Sequence, residues 1–200
     1  MNNLLVIHSS PFDTSSTSRL IANELVEKMR INNSLLEEKS CDLHAESPPH
    51  WGKNEILAAM IPAQQRTHEQ RKALLLSDHY CAQILWANQI IISAPMWNFS
   101  VPSTLKAWID HIVRAGVTFQ YQEQGPKGLV NQLKKVFIIE SAGGFYTDKN
   151  AHLNHTGPYL ESVFKFIGAK EVQIISVHGT AMNCESAKNQ AQKELENIFK

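Results

Sequence analysis

Short apolar runs alternate along the chain with stretches in which apolar residues recur every three or four positions. The runs are typical of buried strands and occupy residues 4–7, 89–94, 135–140 and 172–177. A weaker strand is expected at 35–43, where three charged residues in succession interrupt the apolar pattern. Helical spacing covers residues 18–29, 67–86, 102–116, 158–168 and 187–199, whereas prolines and a glycine predict irregular structure at 44–63.

This alternation of strands and helices predicts an α/β protein. Continuous apolar strands separated by helices favour a parallel sheet that is covered on both faces. The simplest arrangement is a doubly wound five-stranded parallel sheet with helices on both faces, and 200 residues fit a single domain, 1–200. Ligands of such sheets bind beyond the carboxyl ends of the strands. The loops that follow Ile7, Ala94 and Ile139 therefore form the candidate site.

Charge and composition argue against several classes of partner. Nineteen Lys and Arg balance nineteen Asp and Glu, so no basic surface is expected for nucleic acid or for a membrane. The apolar runs are shorter than the ~20 residues of a membrane helix, and the first residues do not have the pattern of a signal peptide. Three widely spaced cysteines suggest neither a disulfide framework nor a zinc site. We therefore expect a soluble, cytoplasmic protein.

The first candidate loop, HSSPFDTSSTS at residues 8–18, is rich in hydroxyl groups. It has neither glycine nor lysine, so it is neither a Walker A loop nor a GxGxxG turn. Hydroxyls beside the free N–H groups of a helix start predict an anion site without a cationic side chain, which suits a terminal monophosphate. The alternative is a flexible Ser/Thr loop that supplies one helix cap.

The second and third candidate loops are apolar and glycine-rich, respectively. Residues 95–102, PMWNFSVP, place two aromatic side chains, a methionine and an asparagine between prolines, which suits a flat ring. Residues 140–146, ESAGGFY, contain Gly143 and Gly144, whose N–H groups could stabilise negative charge at a ring edge. Taken separately, these loops are also consistent with a hydrophobic plug and a plain tight turn. Together, the three loops occupy the places where such a sheet holds a phosphate and a ring.

Other chemistry has little support in the sequence. His152 and His155 are not part of an HExxH motif or a carboxylate cluster, so no metal site is predicted. A GxSxG motif is absent, which argues against a hydrolase of that type. Cys41, Cys81 and Cys184 are expected to be buried small residues rather than nucleophiles.

One segment resembles a known family closely. Residues 95–130, PMWNFSVPSTLKAWIDHIVRAGVTFQYQEQGPKGLV, closely resemble the FMN-dependent NADH-azoreductases, which are flavodoxin-like quinone and azo reductases. The hydroxyl-rich first loop, the SAGG sequence at 141–144 and FIGAKEVQIISVHG at 166–179 match this family in order and spacing. The resemblance extends over nearly the whole chain.

The resemblance implies a flavodoxin-like fold and a homodimer with one non-covalent FMN per subunit and its active site at the subunit interface. The implied activity is two-electron reduction of quinones and reductive cleavage of azo bonds, with NADH or NADPH as donor, by a ping-pong mechanism. FMN carries this chemistry, so no side chain is given a catalytic role. By position, the resemblance assigns cofactor binding to Ser10, Ser16, Thr17, Ser18, Met96, Trp97, Asn98, Phe99, Ser141, Ala142, Gly143 and Gly144, and the substrate pocket to Phe119, Tyr121 and Phe145.

The chain departs from the family pattern in the third loop. Ala142 stands where many members have arginine, and the bulky Phe145 and Tyr146 follow the glycine pair. Two other functions are alternatives to the enzyme: a one-electron flavodoxin-type carrier and an FMN-binding regulatory subunit. The balanced charge and the aromatic second loop argue against the carrier.

Overall fold

The computed structural model of the chain describes residues 2–199. A five-stranded parallel sheet with strand order β2-β1-β3-β6-β7 forms its centre, and β4 and β5 form a separate antiparallel hairpin. The elements are, in chain order, β1 (Asn2–His8), α1 (Thr17–Asn32), β2 (Leu36–Asp42), α2 (Lys53–Met60), α3 (His68–Trp86), β3 (Gln89–Pro95), α4 (Ser103–Ile112), β4 (Phe119–Gln122), β5 (Gly125–Gly128), β6 (Lys135–Ala142), α5 (Thr156–Ile167), β7 (Glu171–His178) and α6 (Thr180–Ile198).

The central strands are buried because helices cover both faces of the sheet. On one face, α1 and α6 enclose a core around Leu4, Val6 and Ile91. On the other face, α3, α4 and α5 enclose a second core that contains Trp108 and Phe164. The doubly wound flavodoxin-like fold implied by the sequence is thus confirmed.

The weakly patterned segment at 35–43 does form a strand, β2, at the edge of the sheet. It pairs in parallel with β1 from Asn2↔Leu36 to His8↔Asp42. Its charged residues at 37–39 are exposed, as is typical of an edge strand that avoids pairing with another molecule. The charges that interrupt the apolar pattern therefore reflect an edge position, and β2 is a regular strand.

The prediction of irregular structure at 44–63 is wrong for residues 53–60, which form α2. Glu55 accepts a hydrogen bond from the Gly52 N–H (3.1 Å) at its start. At its end, Arg66 Nε donates to the carbonyls of Ala58 (3.0 Å) and Ile61 (2.9 Å). These side-chain caps satisfy backbone groups that a helix of two turns would otherwise leave free.

Several predicted helix limits are shifted. The fourth helix ends at Ile112, and Gly116 lies beyond it in a turn with φ of 75°. The fifth begins two residues before Pro158 and ends at Ile167, and Gly168 closes it as predicted, with a left-handed φ of 116°. The last helix begins earlier than expected, at Thr180, and is kinked at Asn183.

The carboxyl ends of the central strands bring the three candidate loops side by side. The Ser9 N–H donates to the Ser93 carbonyl (3.3 Å), which links the first loop to β3. The Met96 N–H donates to the Ser141 carbonyl (2.7 Å), which links the second loop to the third. The strand order reverses between β1 and β3, so these loops surround the switch point of the sheet. None of the helices in residues 2–199 is both long enough and apolar enough to span a membrane.

Candidate functional site

The first loop gathers buried hydroxyl groups at the start of α1. Ser10, Ser16 and Ser18 are 1%, 6% and 0% exposed, and the Ser16 and Ser18 hydroxyls are 3.3 Å apart. Ser16 caps the helix and accepts from the Arg19 N–H at 3.4 Å. The N–H groups of Thr17 and Ser18 donate to no other residue within 2–199, as expected for a first helical turn. The first turn holds no acidic residue, so the arrangement suits an anion.

A cationic side chain, Arg19, lies beside this loop, for which the sequence predicted an anion site without one. Arg19 is 9% exposed, and its guanidinium donates to Asp42 Oδ2 (2.7 Å) and to the Ser10 carbonyl (3.4 Å). Its Nε is buried without a hydrogen-bond partner among the described residues. Arg19 was not predicted because it lies outside the loop at residues 8–18, whereas the first turn of α1 brings its side chain back to Ser10.

Beside this cation, His8 is electrically neutral near pH 7. Burial, and next the positive charge of Arg19, lower the pKa of His8 to about 4. Its Nδ1 lies 3.1 Å from Ser93 Oγ, in a buried contact between β1 and β3. The positive charge at the first loop therefore comes from the helix start and from Arg19, which is paired with Asp42 (2.7 Å) and with Asp13 of the loop (3.7 Å).

The second loop is a tight turn that turns its aromatic side chains outward. Trp97 and Ser100 exchange two backbone hydrogen bonds (2.9 and 3.0 Å), and the residues between them, Asn98 and Phe99, have positive φ angles of 48° and 72°. Positive φ at both central positions is characteristic of a type I′ turn and is costly for phenylalanine. Trp97 and Phe99 are 46% and 44% exposed, so this strained turn presents two aromatic rings to the site.

The third loop is held by the start of α6. Its Gly143 and Gly144 carbonyls accept from Ala181 (3.2 Å) and Gly179 (3.0 Å), while the Thr180 hydroxyl donates to the Ala142 carbonyl (3.1 Å). Over the described part of the chain, the N–H groups of both glycines have no acceptor. These contacts fix the carbonyls away from the site and leave two donors for a ligand.

Two clefts lie on either side of the second loop and share Asn98. The smaller, of about 190 Å³, separates the second and third loops and is hereafter the ring cleft. The larger, of about 740 Å³, extends from the first loop past Trp97 to α4 and α5. The lining of the ring cleft consists of Met96, Asn98, Phe99, Ala142, Gly143 and Tyr146. Tyr146, which the sequence assigned no role, stands edge-to-face against Phe99 with ring centroids 6.1 Å apart.

The predicted substrate residues do not line the ring cleft of the same chain. Phe119 lies in hairpin β4–β5 and lines a separate cleft between α2 and α4. This hairpin leads to Val130, whose N–H donates to the Ile167 carbonyl at the end of α5 (3.0 Å), near the amino ends of the strands. Tyr121, in the same hairpin, is 75% exposed. Phe145 is at the third loop, but its ring lies against Gly179 and borders neither cleft of the site.

Of the three cysteines that were expected to be buried, Cys81 is buried, whereas Cys41 and Cys184 are half-buried. Burial raises the pKa of the Cys41 and Cys81 thiols to about 11, so both stay protonated near pH 7. Cys184 lies near the first loop, with its Sγ 3.6 Å from Thr17 Oγ1. Within residues 2–199, no group of three or more His, Cys, Asp or Glu is placed to bind a metal ion.

These residues fit the FMN that the resemblance implies. The first loop offers buried hydroxyls, two free N–H groups and the partnerless Arg19 Nε, which are donors suited to a phosphate. The ring cleft offers aromatic side chains and the free N–H group of Gly143, with that of Gly144 next in the chain, which suit a flat polar-edged ring. The backbone hydrogen bonds from Ser9 to Ser93 and from Met96 to Ser141 hold the loops that carry these two sets of donors side by side.

Comparison with known proteins gives a consistent assignment. The family model described as Flavodoxin-like fold matches residues 2–200. The FMN-dependent NADH:quinone oxidoreductase of Herminiimonas arsenicoxydans is 38% identical over 199 residues, covering 99% of this chain and 97% of that protein. The protein of the same name from Rhizobium leguminosarum bv. trifolii is 40% identical, covering 94% of this chain and 92% of its own.

A solved structure is similar over the same extent. The FMN-dependent NADH-azoreductase from Bacillus anthracis, solved in complex with FMN, has a TM-score of 0.89 and 29% identity. The match covers 99% of this chain and 97% of that one. The chain therefore belongs to the flavodoxin-like family that includes these quinone oxidoreductases and azoreductases.

Proposed function

We propose that this protein is an FMN-dependent NADH:quinone oxidoreductase that also reduces azo bonds. The observation that carries the proposal is the meeting, at the switch point of the sheet, of an anion-binding helix start and a ring-sized aromatic cleft. Relatives named FMN-dependent NADH:quinone oxidoreductase, similar over almost the whole chain, support the same activity.

In this proposal the first loop binds the phosphate of FMN. Ser10, Ser16, Thr17 and Ser18 supply hydroxyl and N–H donors, and Arg19 supplies positive charge behind them. Their burial favours strong hydrogen bonds, because a charged acceptor in a dry site interacts more strongly than in water.

The second and third loops hold and orient the flat part of the cofactor. Met96, Asn98 and Phe99 line one side of the ring cleft, and Trp97 lines the larger cleft next to it. Residues 141–144, of which Ala142 and Gly143 line the ring cleft, form the edge. Bound FMN supplies the redox chemistry, namely acceptance of hydride from NADH and two-electron reduction of the acceptor. The free N–H groups of Gly143 and Gly144 stabilise negative charge at the ring edge, in the manner of an oxyanion hole. No side chain acts as a nucleophile.

The active form in this proposal is a homodimer with its site at the subunit interface. Phe119 and Tyr121 lie at the far end of the sheet, so they reach a ring cleft only from the partner subunit. The helix α2 exposes Ile56 (49%), Leu57 (49%) and Met60 (77%) next to the cleft that Phe119 lines. An apolar surface of this kind is typical of a protein–protein contact.

We also propose that residues 1–200 form one domain and that the protein acts in the cytoplasm. The sheet draws strands from residues 2–178, and Gln192 of α6 donates to Glu24 of α1 (3.0 Å), so the first and last helices belong to one layered unit. Its three cysteines are unbridged, which is typical of a reducing compartment.

Turnover of purified protein tests the proposal. With added FMN, the protein should oxidise NADH or NADPH when benzoquinone or an azo dye is present. Heat-denatured protein with the same FMN controls for reaction of free flavin. Absence of protein-dependent NADH and NADPH oxidation with either acceptor would contradict the proposal.

A ping-pong mechanism is the expected kinetic consequence. The second loop covers one side of a ring bound in the ring cleft, which leaves one face for nicotinamide and for a flat quinone. We therefore expect donor and acceptor to occupy that face in turn and to give parallel double-reciprocal lines at several acceptor concentrations. Intersecting lines together with a ternary complex in direct binding would show two separate pockets.

A further inference from the structure

A buried carboxylate lies directly behind the ring cleft, outside the groups assigned to cofactor binding. Glu140 is 2% exposed, and its Oε1 accepts from His178 Nε2 (3.1 Å), Ser176 Oγ (2.7 Å) and Asn154 Nδ2 (3.0 Å). Its Oε2 accepts from the Gly157 N–H at 2.8 Å. A buried charge is costly unless it is fully hydrogen-bonded, so four donors on one side chain indicate a defined role.

The hydrogen bonds keep this carboxylate ionised. Burial alone raises the pKa of Glu140, but the hydrogen bonds from His178, Ser176 and Asn154 outweigh it and hold the pKa below its usual range. An ionised carboxylate only accepts hydrogen bonds, so the four surrounding donors are locked in direction.

The first arm of this network leads to one wall of the ring cleft. His178 Nδ1 accepts from the Tyr146 N–H at 3.4 Å, so its proton is on Nε2, where it donates to Glu140. The Tyr146 ring stands edge-to-face to His178 and to Phe99, with centroids 6.0 and 6.1 Å away. His178 thus fixes both the backbone and the ring of Tyr146.

The second arm leads to Phe99, the other member of this aromatic pair. Asn154 donates to Glu140 and, through its Oδ1, accepts from the Thr156 N–H at 3.0 Å. Between these two residues, the His155 N–H donates to the Phe99 carbonyl at 2.9 Å. The segment that Glu140 anchors therefore holds the backbone of Phe99, which has an unfavourable positive φ.

We propose that Glu140 and His178 are positioning residues that fix the edge-to-face pair of Phe99 and Tyr146 in the lining of the ring cleft. This inference rests on the proposed function, because the ring of the flavin is the ligand whose fit this aromatic pair decides. Both arms end on the pair and neither contacts the first loop. The pair consequently affects the ring part of the affinity and leaves the phosphate part unchanged.

Affinities for FMN and for riboflavin, which has the ring but no phosphate, test this division in the full-length protein. His178→Leu removes the first arm and should weaken both ligands by a similar factor, about tenfold. The ratio of the two dissociation constants should stay at the wild-type value. His178→Gln, whose amide has one donor and one acceptor end, should recover most of the lost affinity.

Ser176→Ala is the matched control, because it removes a donor to the same Glu140 oxygen without interrupting either arm. It should lower the melting temperature but leave both affinities unchanged. If His178→Leu does not give a folded circular dichroism spectrum, Asn154→Ala is used in its place, because it interrupts the second arm. The FMN and riboflavin dissociation constants are then measured for that variant.

Three results separate the possible failures. A folded arm variant with wild-type riboflavin affinity overturns the inference. Equal loss of affinity in Ser176→Ala and the arm variants also overturns it, because the effect would then follow stability alone. Failure of the wild-type protein to bind FMN contradicts the proposed function instead.

Discussion

Replacement of Ser18 by alanine isolates the phosphate end of the proposed cofactor site. The Ser18 side chain is completely buried. Within residues 2–199, its hydroxyl forms a hydrogen bond with Ser16 Oγ, 3.3 Å away. A hydrogen bond to a charged group contributes about 1.5–3 kcal/mol. At about 1.4 kcal/mol per factor of ten, its loss should raise the FMN dissociation constant about 10- to 150-fold.

Ser18 is a cleaner position than Ser16, which also caps α1. Loss of a serine cap costs about 0.5–2 kcal/mol of stability, so Ser16→Ala should lower both the melting temperature and FMN affinity. Ser18→Ala removes a hydroxyl without stranding a charged partner and should leave the melting temperature of the FMN-free protein nearly unchanged.

Fluorescence titration of FMN-free protein with FMN and with riboflavin measures this prediction. Ser18→Ala should weaken FMN alone, because riboflavin has no phosphate. Ser15→Ala, at an exposed position of the same loop, is the control and should bind both ligands as the wild type does. An unchanged FMN dissociation constant, or an equal loss for riboflavin, would refute the placement of the phosphate at this loop.

Three further predictions concern stability and assembly. Burial alone raises the pKa of Asp42, but hydrogen bonds from Arg19 and two backbone N–H groups lower it from 3.8 to about 2. Urea titrations should therefore show that the wild type has a higher free energy of unfolding than Asp42→Asn, by an amount that is constant above pH ~4. This difference should disappear as the pH falls through about 2. Gly128→Ala should lower the melting temperature more than Gly116→Ala, because a Cβ at Gly128 would meet the Ile167 backbone at 2.4 Å, whereas a Cβ at Gly116 would meet only the strain of its φ of 75°. Light scattering should give twice 22.5 kDa for the wild type and a smaller mass for Met60→Lys; an unchanged mass would place the interface elsewhere.

The sequence was sufficient to predict the sheet and the three loops because buried parallel strands leave a direct pattern. Runs such as Ile90-Ile91-Ile92 are apolar at every position, since helices cover both faces of the strand. Strand ends in turn fix the loops, so the clustering of residues near Ser10, Met96 and Gly143 followed from strand order.

The features that sequence reasoning missed depend on contacts between distant residues. The helix at 53–60 depends on caps from Glu55 and Arg66, and proline and glycine around it masked its short pattern. Hairpin β4–β5 pairs only four residues with four, several of them polar or glycine, so its alternation was too weak to recognise. The Glu140–His178 pair spans 38 positions and becomes visible only once β6 and β7 are side by side.

The central claim is tested most directly by reconstitution of the FMN-free protein. NADH-dependent reduction of benzoquinone should rise with added FMN and reach a plateau at one FMN per chain. FAD should not replace FMN, since the site proposed at the first loop takes one terminal phosphate. A protein that binds no FMN, or one whose quinone reduction does not depend on it, would contradict the account.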